Sequence, residues 1–222
     1  MTRPERHPGG APGELAGPGD LPMPGARVHM MGVGGAGMRG LAHLLADGGY
    51  RVSGCDRSGA PDAPELRRRG VELLDGHDPS HVRNVALVIH TAAVPEDHPE
   101  LRAARDGGVP VLGRARATGA VLNGRRLAGI TGTHGKTTTT AMAALACEAG
   151  GLDPTALVGG RVPAWDAYAR TGGDPAVAEA DEYDRSFLEL DPDLAVVTSV
   201  EPEHLDAYGS VSALEEAFAE FA

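Results

Sequence analysis

The run LAGITGTHGKTTTTAMAALACEAGG, residues 127–151, decides how this chain is read. Leu127–Thr131 is a short apolar run of strand length, and Lys136–Ala149 is an Ala-rich helix stopped by Gly150 and Gly151. Gly132, Thr133, His134 and Gly135 form the loop between them. A glycine loop feeding a helix N-terminus turns backbone N–H groups toward the positive end of the helix dipole and so makes an anion site. Lys136 and Thr137 stand where an ammonium reaches terminal phosphates and a hydroxyl reaches Mg2+. Ile130 occupies the place of the first glycine of the longer loop motif, which leaves the shorter GTxGKT form. The β-branched residues Thr137 to Thr140 open a helix poorly, and hydroxyls beside a phosphate give them a reason to be there. Lys136 is also the one lysine among 20 basic residues. A bias toward arginine accounts for the other 19 and leaves this compact ammonium to be explained by phosphate chemistry.

The same strand–turn–helix pattern runs upstream. Arg27–Met31 reads as a strand, 32–37 as a glycine turn and 38–47 as a helix ended by Gly48 and Gly49. Further strands are expected over 50–54, 71–74, 85–90 and 109–112, with helices near 63–69, 99–106 and 114–122. The almost unbroken apolar run 85–90 is that of a strand buried on both faces. Downstream, strands are expected at 176–180 and 194–198 and a helix over 211–222. Such alternation makes the fold class α/β with mainly parallel sheets. Residues 25–122 form a Rossmann-like domain, and 123–222 a P-loop domain that reads as incomplete, the Asn123-Gly124 turn marking the boundary. Residues 1–24, rich in Pro and Gly and almost without apolar side chains, are expected to be a disordered tail.

Composition narrows the function. Thirty-one acidic residues against 20 basic ones give a net charge of −11, which argues against a nucleic-acid coat. Two cysteines, Cys55 and Cys147, cannot staple 222 residues, so a reduced compartment is expected. With neither an 18-residue apolar run nor a signal pattern, the expectation is a soluble, cytoplasmic chain without membrane partners.

Gly32, Gly34 and Gly37 satisfy G-x-G-x-x-G between a strand and a helix, and Asp56 ends the next strand, where a ribose-binding acid sits. The pattern reports a diphosphate near a helix N-terminus, which NAD and a UDP-linked sugar both carry; a plain tight turn is a third reading. Glu179, Asp181, Glu182 and Asp184 form an acidic run after a strand. Such a run is ordinarily a solvated loop, but below a phosphate loop it is also what Mg2+ needs. Glu201, Glu203 and Asp206, with His204 among them, could complete a second metal site.

Taken in order, GVGGAGM (32–38), DGH (75–77), GTHGKTTTT (132–140), EADEYDRSFL (179–188) and EPEHLDAYG (201–209) resemble the Mur ligases, from about residue 27 onward. Within the family the likeness is greatest to members that join L-alanine to UDP-N-acetylmuramate. The resemblance implies an ATP-dependent carboxylate–amine ligase of peptidoglycan precursor synthesis, in which ATP phosphorylates the muramate carboxylate and the amine of L-alanine attacks the acyl phosphate. It implies that Gly132, Thr133, His134, Gly135, Lys136, Thr137 and Thr138 hold ATP, with Lys136 on the transferring phosphoryl group. Thr137 and Glu182 would bind one Mg2+ and His204 a second. Gly34, Gly35, Ala36, Gly37, Met38, Asp56 and His77 would bind the UDP substrate, which decides against NAD. The chain departs from the family pattern at Thr91-Ala92, at Arg114 to Thr118, at Tyr168 and at Ser199. The family's closing C-terminal domain has no counterpart here, so this length of chain is expected not to turn over alone. A recycling ligase that adds a peptide to UDP-N-acetylmuramate, and a non-catalytic module holding UDP-sugar and ATP, are the competing readings.

Overall fold

The computed structural model describes residues 17–222, without the side chains of Asp184 and Leu205. Its first sheet contains β1 (Arg27–Met31), β2 (Arg51–Asp56), β3 (Glu72–Asp75), β4 (Leu87–His90) and β5 (Val111–Gly113), in the order β3-β2-β1-β4-β5. Every neighbouring pair is parallel. Parallel pairs need crossovers, supplied here by α1 (Ala36–Asp47), α2 (Pro64–Arg67), the 3-10 turn Pro79–Val82 and α3 (Pro99–Asp106). All four residues of β4 and four of the five in β1 are buried, as central strands covered on both faces require. The strand order reverses between β1 and β4, and the crevice at their carboxyl ends is where such sheets take ligands.

A second sheet contains β6 (Leu127–Thr131), β7 (Pro154–Val162), β8 (Ala167–Arg170), β9 (Gly173–Glu179) and β10 (Leu194–Val197), in the order β10-β6-β9-β7-β8. Its pairs are parallel except β7–β8, which is antiparallel. This sheet is therefore mixed, and the β7–β8 hairpin corrects a reading that left 152–175 without a strand. The glycines at 159 and 160 interrupt the apolar pattern of β7, and the connection Pro163-Ala164-Trp165-Asp166 lacks the usual glycine signal. Asp166 takes the left-handed conformation there, with φ 52°. Helices α4 (Arg114–Leu122), α5 (Lys136–Ala149), α6 (Leu205–Tyr208) and α7 (Val211–Phe221) complete the chain. Helix α7 starts on the Ser210 hydroxyl, which accepts from Ala213 N–H. It buries Leu214, Ala217, Phe218 and Phe221, and the last two rings pack on Phe187.

Helix α1 joins the two sheets, since its outer face lies on the β7–β8 hairpin. A Cβ on Gly40 would collide with Leu157 Cδ1 and come within 3.2 Å of Tyr168 O, so glycine permits this approach. Leu44 of α1 shares one apolar cluster with Leu157, and Arg39 lies 4.9 Å over the Tyr168 ring. The expected tail falls largely outside the described residues, but its end is ordered. Pro18–Asp20 form a 3-10 turn, Asp20 pairs with Arg116 at 3.2 Å, and Tyr50 Oη donates to Pro22 O at 2.9 Å. A few polar anchors and the partly buried Leu21 offset the Pro/Gly composition. Among the described residues no helix is long and apolar enough to cross a membrane.

One buried group of α1 sets a pH dependence. His43 is 3% exposed, with Nε2 3.1 Å from Asp47 Oδ2. Burial first and the Arg69 cation second lower its pKa from 6.5 to about 4, against the pull of Asp47. The unfolded chain takes up this proton near the usual value and the folded chain only near the lowered one. Stability is thus retained above the unfolded value and falls as pH drops from 6.5 to about 4, by up to about 3 kcal/mol. Urea unfolding at neutral and mildly acid pH should show this loss, and His43→Gln should flatten it. An unchanged pH slope in that variant would rule out the assignment.

Candidate active site

Strand β6 runs into Gly132, with φ 127°, and Gly135, with φ 82°, is the N-cap of α5. No side chain caps α5, which leaves the N–H groups of its first turn, Lys136 to Thr138, as donors for an anion. Thr133 and His134 point their amides the other way. Thr133 N–H donates to Ser199 O at 2.9 Å, His134 N–H to Ser199 Oγ at 3.0 Å, and Thr198 Oγ1 to His134 O at 2.6 Å. Those bonds fasten the loop to the end of β10. The His134 ring is exposed, 3.7 Å from both Glu201 and Glu203.

The Lys136 ammonium folds back over the loop, 2.7 Å from Gly132 O, 3.2 Å from Thr133 O and 2.9 and 2.8 Å from the two Glu182 oxygens. Glu182 is 2% exposed, so the one lysine neutralises a buried carboxylate that would be costly alone. Tyr208 Oη donates to the Glu182 carbonyl. His204 Nε2 lies 3.6 Å from Glu182 Oε1, and the ring meets Tyr183 edge-on at 5.2 Å. His204 holds φ 55°, a strained value for this residue type and one that collects at functional sites. The fold thus brings Lys136, Glu182 and His204 together.

Thr137 makes a different contact. Its hydroxyl donates 3.0 Å to Glu179 Oε1, and Glu179 Oε2 accepts from Gly159 N–H at 2.7 Å. Glu179 belongs to the acidic run, of which the family resemblance implies only Glu182 as a ligand. The signal for Glu179 is pairing: β9 lies beside β6 with Glu179 opposite Ile130, which sets its carboxylate level with the loop. Of the threonine run, Thr140 is buried and bonds back to Lys136 O at 2.8 Å, so its hydroxyl serves the helix. The Asp184 side chain lies outside the described residues.

In the first half, α1 also begins on a glycine N-cap, Gly35, with no side-chain cap. Asp56 accepts from Gly34 N–H at 3.1 Å, Ser58 N–H at 3.1 Å and Ser58 Oγ at 2.8 Å. Burial raises its pKa, but the bonds from Ser58 and Gly34 outweigh that and hold the carboxyl below its usual range. Asp56, Arg57 and His77 line a pocket of about 510 Å³ with Gly32, Gly35, Thr91 and His98. Met38 is 2% exposed and belongs mainly to the core.

A second cleft, of about 300 Å³, lies between the halves. Gly35, Ala36, Gly37 and Arg114 line it from one side, and Gly159, Glu179 and Asp181 from the other. Arg114 bonds Asp181 at 3.2 Å and lies against Gly37, a cation that joins the first glycine turn to the acidic run and that was not among the expected binding residues.

The uncapped start of α1, Arg114 and two carboxylates border this cleft, and one of those carboxylates, Glu179, is bonded to Thr137 at the start of α5, an arrangement suited to phosphate-bearing ligands. The Mur ligase family catalytic domain matches residues 27–126, and the Mur ligase middle domain matches 130–222. The chain belongs to the Mur ligase family. It is 44% identical over 195 residues to a UDP-N-acetylmuramate–L-alanine ligase of Mesorhizobium japonicum, which covers 87% of this chain and 42% of that one. A ligase of the same name from Brucella ovis is 43% identical over 202 residues, 90% of this chain and 43% of that one. The chain therefore spans less than half the length of these curated relatives. Among solved Mur ligases, the UDP-N-acetylmuramate–alanine ligase of Thermotoga maritima superposes with a TM-score of 0.81 at 30% identity, covering 88% of this chain and 46% of that one. The UDP-N-acetylmuramate:L-alanyl-γ-D-glutamyl-meso-diaminopimelate ligase of Neisseria meningitides gives 0.80 at 28% identity, covering 88% and 67%.

Proposed function

We propose that this chain carries the UDP-substrate and ATP sites of a cytoplasmic ligase that joins L-alanine to the carboxylate of UDP-N-acetylmuramate through an acyl phosphate. The observation that carries the reading is the shared cleft: the uncapped start of α1 borders it on one side, and Glu179, bonded to the P-loop Thr137, on the other. A diphosphate at α1 and a triphosphate at α5 would direct their reactive ends toward each other, so positioning supplies much of the catalysis. The L-alanine reading draws on the curated relatives at 43–44% identity.

In this reading Lys136 leaves Glu182 for the phosphates of ATP and steadies charge that develops on the transferring group. Arg114 holds the muramate carboxylate near that group, and Asp56 fixes the ribose of the UDP portion in the larger pocket with His77. Thr137, Glu179 and Glu182 are hard oxygen donors of the type Mg2+ accepts, and Glu182 already requires a positive partner where it is buried. Thr137 and Glu182 would hold one Mg2+ and His204 a second. When bound, these ions neutralise phosphate oxygens.

Calorimetry tests the assignment on the chain as it stands. UDP-N-acetylmuramate and Mg-ATP should each bind at one site, and Asp56→Ala should weaken the first about tenfold while leaving the second unchanged. Binding of NADH in place of the UDP compound would overturn the first-domain reading. Binding of the UDP compound without Mg-ATP would make the chain a holding module.

A further inference from the structure

On the α3 side of the first sheet, His29 of β1, Cys55 of β2, His81 of the 3-10 turn and Glu100 of α3 bring one ligand atom each within 4.8 Å of one another. His29 Nε2 lies 3.1 Å from Glu100 Oε1 and 3.3 Å from Cys55 Sγ. Cys55 Sγ is 3.6 Å, and His81 Nδ1 3.1 Å, from the same Glu100 oxygen. His29, Cys55 and Glu100 are fully buried, and the His81 side chain is 14% exposed. We propose that these four side chains form a structural Zn2+ site.

The geometry suits this ion. Zinc bonds of about 2.0–2.3 Å to N, O and S place the corners of a tetrahedron about 3.3–3.8 Å apart. Four of the six separations run from 3.1 to 3.6 Å and all six lie within 4.8 Å, so closing on an ion needs mainly a shift of the His81 ring toward His29 and Cys55. Two imidazoles, a thiolate and a carboxylate are a borderline-soft set that selects zinc over Mg2+ or Ca2+. The two anionic ligands neutralise the dication, which makes its burial tolerable. Four protein ligands leave no open position, the mark of a structural rather than a catalytic zinc.

The surroundings also fit. His29 Nδ1 pairs with Ser53 Oγ at 2.9 Å, the outer partner that orients a ligating imidazole. His77 Nδ1 lies 3.1 Å from Cys55 Sγ and 3.0 Å from Glu100 Oε2, while the same residue lines the 510 Å³ pocket. The ion would tie β1, β2, the 3-10 turn and α3 together directly beneath the nucleotide pocket.

Chelator-stripped full chain titrated with Co2+ should show a thiolate-to-cobalt charge-transfer band and intense tetrahedral ligand-field bands, and Zn2+ should displace the cobalt at one equivalent. Cys147→Ser should keep both signals and Cys55→Ser should lose the charge-transfer band. His81→Ala should weaken Zn2+, measured against a chromophoric chelator, by more than the roughly 10–100-fold that loss of an outer partner costs. A wild-type chain that shows no thiolate band with Co2+ overturns the site whether or not the variants fold. Zn2+ binding that survives Cys55→Ser and His81→Ala unchanged, in variants with native circular dichroism, overturns it as well.

Discussion

Lys136→Ala is expected to lower ADP formation about 10³-fold or more in a ligase of the relatives' full length, while UDP-N-acetylmuramate affinity stays within about twofold. A single preorganised donor to a transferring or developing anion is worth about 10²–10³-fold, and Lys136 supplies a full charge as well as a donor. The variant has a second consequence that must be separated from the first. The Lys136 ammonium is the partner of Glu182, which is 2% exposed, so its removal strands a buried carboxylate. Lys136→Ala should therefore also destabilise the fold, and adding Glu182→Gln should recover much of that stability by removing the orphaned charge. Because Glu182 is also a proposed Mg2+ ligand, the double variant reports on stability, and the role of Lys136 is read from ADP formation by the folded single variant. ADP production that is unchanged in Lys136→Ala refutes the role.

The parts of this molecule that sequence reveals are those whose physics is local. Leu127–Thr131, the loop and Lys136–Ala149 are found where expected, because an apolar run, a glycine turn and an Ala-rich stretch each declare their conformation within a few residues. The β1–α1–β2 alternation is found where expected for the same reason, while the pairing of β1 with β4 lies beyond the local pattern. Other features depend on pairing across the chain. The β7–β8 hairpin is hidden by the glycines 159 and 160 and by Asp166 doing a glycine's work in its turn. Glu179 becomes the partner of Thr137 only once β9 is placed beside β6. Residues 17–24 have the composition of a tail and are held by Arg116 and Tyr50, far along the chain. His29, Cys55, His81 and Glu100 carry no spacing motif, being drawn together from two strands, a turn and a helix.

Gly132→Ala should cost on the order of 4 kcal/mol, whereas Gly135→Ala, three residues away in the same loop, should cost about 1 kcal/mol. Both glycines have positive φ, and the 127° of Gly132 lies further from the left-handed region open to other residues than the 82° of Gly135, so backbone strain contributes to the difference. Their surroundings differ. An added Cβ at Gly135 meets open space, while at Gly132 it collides with Thr198 Oγ1 and comes within 2.8 Å of Ser199 N and 2.9 Å of Ser199 O. Thr198 Oγ1 cannot step aside without losing its bonds to Thr131 O and His134 O. Ser199 O cannot move without releasing Thr133 N–H. Urea unfolding of the two variants measures the difference, and equal midpoints would show that β10 does not pack on the loop as described. Adding Thr198→Ala to Gly132→Ala should recover only part of the loss, since the Ser199 contacts are backbone and the strained φ is untouched. Full recovery would place the whole penalty on one hydroxyl and leave the backbone cradle without its supporting wall.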